Sequence, residues 1–427
     1  MVLRAVILIG LLPTACFGQL DFEREPINYS ETEPVDRVHQ LSEEIAAGSV
    51  SLQWEQKHGF LKSLLKELDV SEASQTLVFS KTSLQVSQIW PRHPRAIYFN
   101  DDVYVGWVQQ GEFIEISAAD PKLGGTFYSL TQRRSDAPAL NRETSRCLQC
   151  HASTHTRRIP GHMVRSVFPD QSGQPVYRLG THITEPASPM TERFGGWYVT
   201  GTHGDQRHMG NAWLADPDKS EKLDLEHGAN VTDLSEFLNT SPYLTSHSDI
   251  VALLVLQHQV HVHNVLTAAN HSGHLTARDA VIMDRALERD ESYQSDSTRR
   301  RYQSAADKVV KALLFSGEIV LTSPIQGTSH FAEEFAAQGP FDELRRSLRQ
   351  FDLERRLFRY PCSFLIYSDA FNGLPEGVMS EVHQKLASIL SGSDSSDEFA
   401  YLSPEDRVAI SEILQQTGVI LRVPESP

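Results

Sequence analysis

The spacing of apolar residues changes period part-way along the chain, and this constrains the fold more than any other feature. From Thr76 onward the apolar residues fall in short runs: Leu77 to Phe79, Ala96 to Phe99, Val103 to Gln109, Phe113 to Ser117 and Gly125 to Leu130. Val103, Val105 and Trp107 alternate with Tyr104 and Gly106, and Gln110-Gly111 is a turn signal before the next run. These runs predict a small antiparallel sheet of about five strands. After about Asn230 helical spacing takes over. Asp249 to Ala269 reads as one strong helix, and Arg278 to Leu314 holds a long charged one. Phe341, Leu344, Leu348, Phe351 and Leu357 lie along one face of a further segment ending at Phe358. Ser403 caps the last helix, Pro404 opens it and Gly418 stops it. Ahead of the sheet, Val38 to Ala46 and Leu52 to Leu68 are also helical in pattern. Ile159 to Leu214 is Gly- and Pro-rich, with strand pieces at Met163 to Phe168, Val176 to Leu179 and Gly196 to Thr200. The expected fold class is α+β: an antiparallel-sheet-containing domain over residues 19–225, followed by a mainly helical domain over 226–427.

With 427 residues, 40% apolar, each part can bury a core without staples. The 39 Lys and Arg are outnumbered by 55 Asp and Glu, giving −16, so nucleic acid is an unsuitable partner. Residues 1–18 read as a secretory signal peptide: Arg4 precedes a short apolar core, Ala5 to Leu12, and small residues Cys16 and Gly18 lead to a cut before Gln19. That core is too short for a transmembrane span, and no other segment reads as long and apolar enough. In a rival reading Cys16 carries a lipid anchor, which Pro13 fits poorly. The mature protein is therefore expected to be exported and periplasmic, free or lipid-tethered.

Export makes the remaining cysteines informative. Three are left, Cys147, Cys150 and Cys362, too few for a disulfide framework. Cys362 is flanked by apolar residues and reads as a buried free thiol. The other two stand in Cys147-Leu148-Gln149-Cys150-His151. A c-type haem is fixed by two thioether bonds from this spacing, and the adjacent His becomes the proximal iron ligand. Two intervening residues let one turn of chain reach both vinyl groups along one porphyrin edge. A thioredoxin-like redox pair should open a helix after a strand, whereas a polar stretch, Ser135 to Arg146, precedes this motif. A Cys₄ zinc site lacks its second Cys pair, though histidines could complete a mixed one, and a plain disulfide remains open.

The motif resembles the haem-attachment site of c-type cytochromes, and the whole chain is similar to exported bacterial monohaem cytochrome c-like proteins, a likeness that supplies no activity. The resemblance implies one covalent haem c, linked through Cys147 and Cys150, with His151 on the metal. Some 130 mature residues precede the motif, unlike the small all-helical cytochrome unit, in which it stands near the start.

Thirteen of the 18 histidines lie between His151 and His274. Candidates for the sixth iron position are Met209, His208 and His203 in one cluster, and His162 and Met163 in another; an open position is the alternative. His258 and His261 share a face of the Asp249 to Ala269 helix, and His263 turns away. They are read as tolerated on an exposed helix face, with a second metal site as the alternative. The Arg299 to Arg301 run reads as a solvated helix face, with docking of an acidic partner as the alternative. The expected function is single-electron transfer through the haem to a periplasmic redox partner protein. A haem enzyme of peroxidase or oxidase type with an open distal site, and a haem-based sensor, are the alternatives, and whether the chain is an enzyme stays open.

Overall fold

The computed structural model describes residues 20–217, 222–290, 293–394 and 396–421. The signal-peptide reading of residues 1–18 and the lipid-anchor reading at Cys16 lie outside the described residues. Two helices, α1 (Arg37–Ala46) and α2 (Leu61–Glu67), precede six strands: β1 (Thr76–Val78), β2 (Arg95–Phe99), β3 (Val103–Trp107), β4 (Phe113–Asp120), β5 (Gly124–Thr131) and β6 (Leu140–Arg142). Every neighbour pair is antiparallel and the spatial order follows the chain, so the sheet is a meander. The chain turns between β4 and β5 at Gly124, whose φ of +80° suits glycine. A Cβ there would also stand 2.2 Å from Thr267 Cγ2.

The alternation along β3 separates two buried faces rather than a wet and a dry one. Val103, Val105 and Trp107 pack with Leu61, Leu64 and Leu65 in one core. Tyr104 faces the other way, into the core built around α4 (Ile250–Ala286). That second core runs from Val78 to Leu414 and draws on both sides of residue 225. Asp249 starts α4 by accepting from the backbone N–H of Val251 and Ala252. Among the described residues α4 is long and apolar enough to cross a membrane, and 89% of its most apolar stretch is buried inside the protein. This corrects the reading that no segment beyond the leader has that length and composition.

Between sheet and α4 come α3 (Leu148–His151) and a two-stranded sheet of β7 (Arg165–Val167) and β8 (Thr181–Ile183). After α4 come α5 (Asp296–Leu313), α6 (Phe331–Ala337), α7 (Asp369–Asn372), α8 (Glu376–Leu390) and α9 (Pro404–Gln416). The α+β class holds: the antiparallel sheet belongs to the N-terminal part and the long helices to the C-terminal part. Ser403 and Asp406 form the expected start of α9 as a reciprocal capping box.

Five local expectations are corrected. Val176 to Leu179 holds a short 3-10 helix, Tyr177–Leu179, instead of a strand, and Gly196 to Thr200 makes only isolated bridges at Trp197 and Thr200. The strong helix does not stop at Ala269 but runs to Ala286, and α5 starts afresh at Asp296. Only Leu61–Glu67 of the 52–68 pattern is helical, because Gly59, at φ +61°, closes a small bridge back to Glu55. The segment 341–358 forms no helix. Asp342 accepts from Arg346 N, and Asp352 from Glu354 N and Arg355 N, giving the backbone partners that compete with helical ones. Arg345 and Leu353 adopt positive φ, and Phe351 stacks on Phe358 instead.

Candidate functional site

The sheet face turned toward α4 carries a graded row of side chains. Tyr104 of β3 stands opposite Ser117 of β4, which stands opposite Phe127 of β5. In the next row toward β2, Ile97 pairs with Gly106, Gly106 with Glu115, and Glu115 with Ser129. Gly106, Ser117 and Ser129 leave the pleat short of volume there. A cavity of about 360 Å³ lies above them, roofed by Leu256 and Val260 of α4. That is within the usual size range of small-molecule sites. Leu84, 50% exposed, and Tyr177, 60% exposed, also line it, so it opens to solvent on their side.

Cys147, Cys150 and His151 form part of the cavity wall. Both thiols of the pair are free, as is buried Cys362. Burial, with the Glu143 and Glu115 carboxylates adding to it, pushes the Cys147 thiol up to about 12. The one-turn helix α3 brings His151 beneath its own cysteines, because His151 N donates to Cys147 O at 2.9 Å. The ring is then fixed from behind: His151 Nδ1–H donates to Gly161 O at 2.8 Å. Gly161 N donates back to His151 O at 2.9 Å. This places the lone pair on Nε2, the arrangement a metal-binding imidazole needs. Burial holds the His151 imidazole below its ordinary range, so it is neutral near pH 7.

The polar part of the wall pairs its charges. Arg95 meets Glu115 at 2.5 Å, and the Ser83 hydroxyl donates to the same carboxylate at 2.7 Å. Arg146 and Ser129 both donate to Glu143, at 2.7 and 2.8 Å. These groups were missed in the sequence, where an Arg on β2 and a Glu on β4 carry no mark of being neighbours.

Of the candidates for a second ligand, His162 and Met163 line the cavity. The His162 ring lies 4.6 Å from Tyr104 and 6.1 Å from Phe127, with Nδ1 3.3 Å from the Ser117 hydroxyl and a buried, unpartnered Nε2. Met209, His208 and His203 are not among the residues lining it. Met209 is buried with Sδ 3.6 Å from the Ser166 hydroxyl. His203 donates from Nδ1 to Gln206 O and accepts at Nε2 from Asn230 N. His208 accepts at Nδ1 from Gly210 N, with its ring 4.6 Å from that of His203. His208 Nε2 is buried without a hydrogen-bond partner, and none of the three residues lies on the cavity wall.

The helix histidines are not on an exposed face, which corrects that expectation. His258 is buried, stacks on Phe315 at 4.2 Å and meets the Ser363 hydroxyl at 2.8 Å. His263 is buried against Tyr104, behind the cavity wall. Their hydrogen bonding follows one consistent proton assignment. Gln259 Nε2 donates to Asn100 O at 2.6 Å and to Tyr104 Oη at 3.0 Å, so the tyrosine hydroxyl donates onward to His263 Nδ1 at 2.8 Å.

No family model matches the chain, and no curated protein or solved structure does. Chemically, the wall offers two thiols, a neutral oriented imidazole and an apolar roof, a donor set suited to a flat metal-bearing group held by sulfur and nitrogen.

Proposed function

We propose that the chain carries one covalent haem c, linked through Cys147 and Cys150 with His151 on the iron, and that it passes single electrons to a periplasmic redox partner protein. The single observation that carries this reading is the fixed His151 ring, its Nδ1–H committed to Gly161 O, on the wall of a cavity that also holds both motif thiols. A disulfide reading of the cysteines leaves that orientation without a purpose, and a zinc reading, which would use the imidazole, leaves the cavity without one.

Bound haem supplies a one-electron couple whose potential depends on axial ligand, burial and nearby charge. The chain's own contributions are separable. Cys147 and Cys150 anchor, and His151 ligates. Leu256, Val260 and Phe127 exclude water, while the paired Arg95 and Glu115 bring little net charge to the wall. The open side at Leu84 and Tyr177 is where a partner protein would approach. A second ligand to the iron would come from His162 or Met163, the other imidazole and the thioether on the wall.

A second reading, an enzyme with an open distal site, draws on the same residues: His162 is wedged among Tyr104, Ser117 and Phe127 and is not free to swing without repacking them. The mature protein, made with a c-type maturation system, tests both readings. Intact-mass measurement should find one covalent haem, absent from Cys147→Ser/Cys150→Ser. Absorption and EPR spectra should be low-spin, and the reduced form should ignore carbon monoxide. A high-spin, carbon monoxide-binding form would replace electron transfer by the enzyme reading, and no haem adduct would end both.

A further inference from the structure

A second cleft, of about 340 Å³, lies between α4 and α5, and Arg157, Arg300, Arg301 and Lys308 line it. We propose that it is a binding site for a small phosphorylated polyanion. The reading stands apart from the haem assignment.

The cleft exists because the two helices face each other with small residues. Ala268, Ala269 and Ser272 stand on α4, and Ser304 and Ala305 on α5, so little side-chain volume fills the space between them. Along α5, Ser297, Arg300, Arg301, Ser304 and Lys308 recur at steps of three and four residues and share one face. The run of arginines, read from sequence as a solvated face, thus splits. Arg300 and Arg301 line the cleft, whereas Arg299 does not and lies 4.0 Å from Asp296.

Charge decides what the cleft fits. The chain as a whole carries −16, yet four of the eleven residues lining this cleft are cationic and none is Asp or Glu. Two of the cations have carboxylate partners outside the lining: Arg157 lies 3.3 Å from Glu185, and Arg301 lies 3.2 Å from Asp279. Among the described residues no ion pair engages Arg300 or Lys308. Ser272, Ser297 and Ser304 add hydroxyl donors. Arginine forks, a lysine point charge and hydroxyls are the groups that bind phosphate oxygens. The volume exceeds what a water or a chloride occupies and suits a ligand with more than one anionic group.

The fourth cation argues against a merely solvated helix. Arg157 comes from the loop that follows α3, remote in sequence from α5. It and Arg158 hold left-handed φ values of +58° and +62°, so the backbone turns there and delivers the Arg157 side chain to this cleft. A polyanion seated here would tie α5 to the loop that follows α3, in which Arg157 stands six residues after His151.

Inorganic pyrophosphate is the probe. Calorimetric titration into the full-length mature protein should show one saturable site, weakening with added salt as ion pairing requires. Arg300→Gln/Lys308→Gln removes the two unpaired cations from an exposed surface. It should weaken binding by about ten-fold or more, at unchanged thermal midpoint. Arg299→Gln, one residue away and outside the lining, should leave affinity within about two-fold. The proposal is overturned if pyrophosphate does not bind the wild type. It is equally overturned if Arg299→Gln weakens binding as much as the double variant, since the effect would then be general surface charge. Haem content of all three proteins is measured in parallel, so a failure of the haem assignment leaves this test readable.

Discussion

Met209 Sδ beside the Ser166 hydroxyl and His162 between Tyr104 and Phe127 look alike in sequence, each next to another soft or imidazole ligand, but their surroundings give them different work. Met209 fills space. Met209→Ala should destabilise the fold by roughly 2–5 kcal/mol in urea denaturation, as buried Met truncations do, and, on the proposed haem reading, leave the spectrum unchanged. On that same reading His162→Ala and Met163→Ala should separate in the opposite sense: whichever would supply a second iron ligand converts the spectrum to high-spin, while the other leaves it low-spin. If Met209→Ala alone changes the spectrum, the cavity has been assigned the wrong wall. The neighbourhood of Met209 was illegible in sequence because Ser166 lies on β7, and nothing local links the two.

Among the elements, α4 organises the molecule, and its first turn is its most loaded point. Asp249 Oδ1 caps the helix through Val251 N and Ala252 N. Asp249 Oδ2 accepts from Thr328 N, Ser329 N and the Ser329 hydroxyl. One carboxylate therefore starts the central helix and ties down a loop some 80 residues away. Asp249→Ala should cost about 2–4 kcal/mol, the sum of a lost cap and unsatisfied loop donors, read as a lower urea midpoint. Asp249→Asn keeps an accepting oxygen and should recover part of that loss. A residue with a Cβ at Gly327 would stand 2.4 Å from Asp249 Oδ2, so Gly327→Ala should lower the same midpoint. The helical period and the start of α4 near Asp249 were both legible. The length of α4 and the break before α5 were not: α4 ends in an exposed turn, where Glu288 takes φ +51° and Arg289 N donates back to Asp284 O, and neither residue type marks such a stop in sequence.

For the whole molecule, the buried histidines set the response to acid. Burial is the largest cause in each case, holding His208 at about 3 and His271 at about 4, below the ordinary 6.5. In the unfolded chain both protonate near pH 6.5, before they can do so when folded. The stability they contribute is fully present above that pH and is lost as pH falls toward their folded values. Each should steepen the acid loss by up to ~1.4 kcal/mol per pH unit in that window. Urea midpoints measured from pH 7.5 to 4.5 should fall accordingly. In His271→Gln the slope should be shallower by about one proton; an unchanged slope would mean that His271 is already charged in the folded state.

Much of this protein is written locally. The α+β class, strands β1 to β5 of the meander, the cap of α9 and the Cys147-Leu148-Gln149-Cys150-His151 spacing follow from period, propensity and chemistry within a few residues, whereas β6 lies in a stretch that reads as polar. The tertiary structure alone decided what faces what. It set Gly106, Ser117 and Ser129 under an open space, put Gly161 behind His151, and brought Arg157 to the α4–α5 cleft. It also left Met209, His208 and His203 off the cavity wall. The reason is physical: strand alternation, caps and motif spacing are set by neighbours along the backbone, whereas a cavity is set by side-chain volumes from segments distant in sequence.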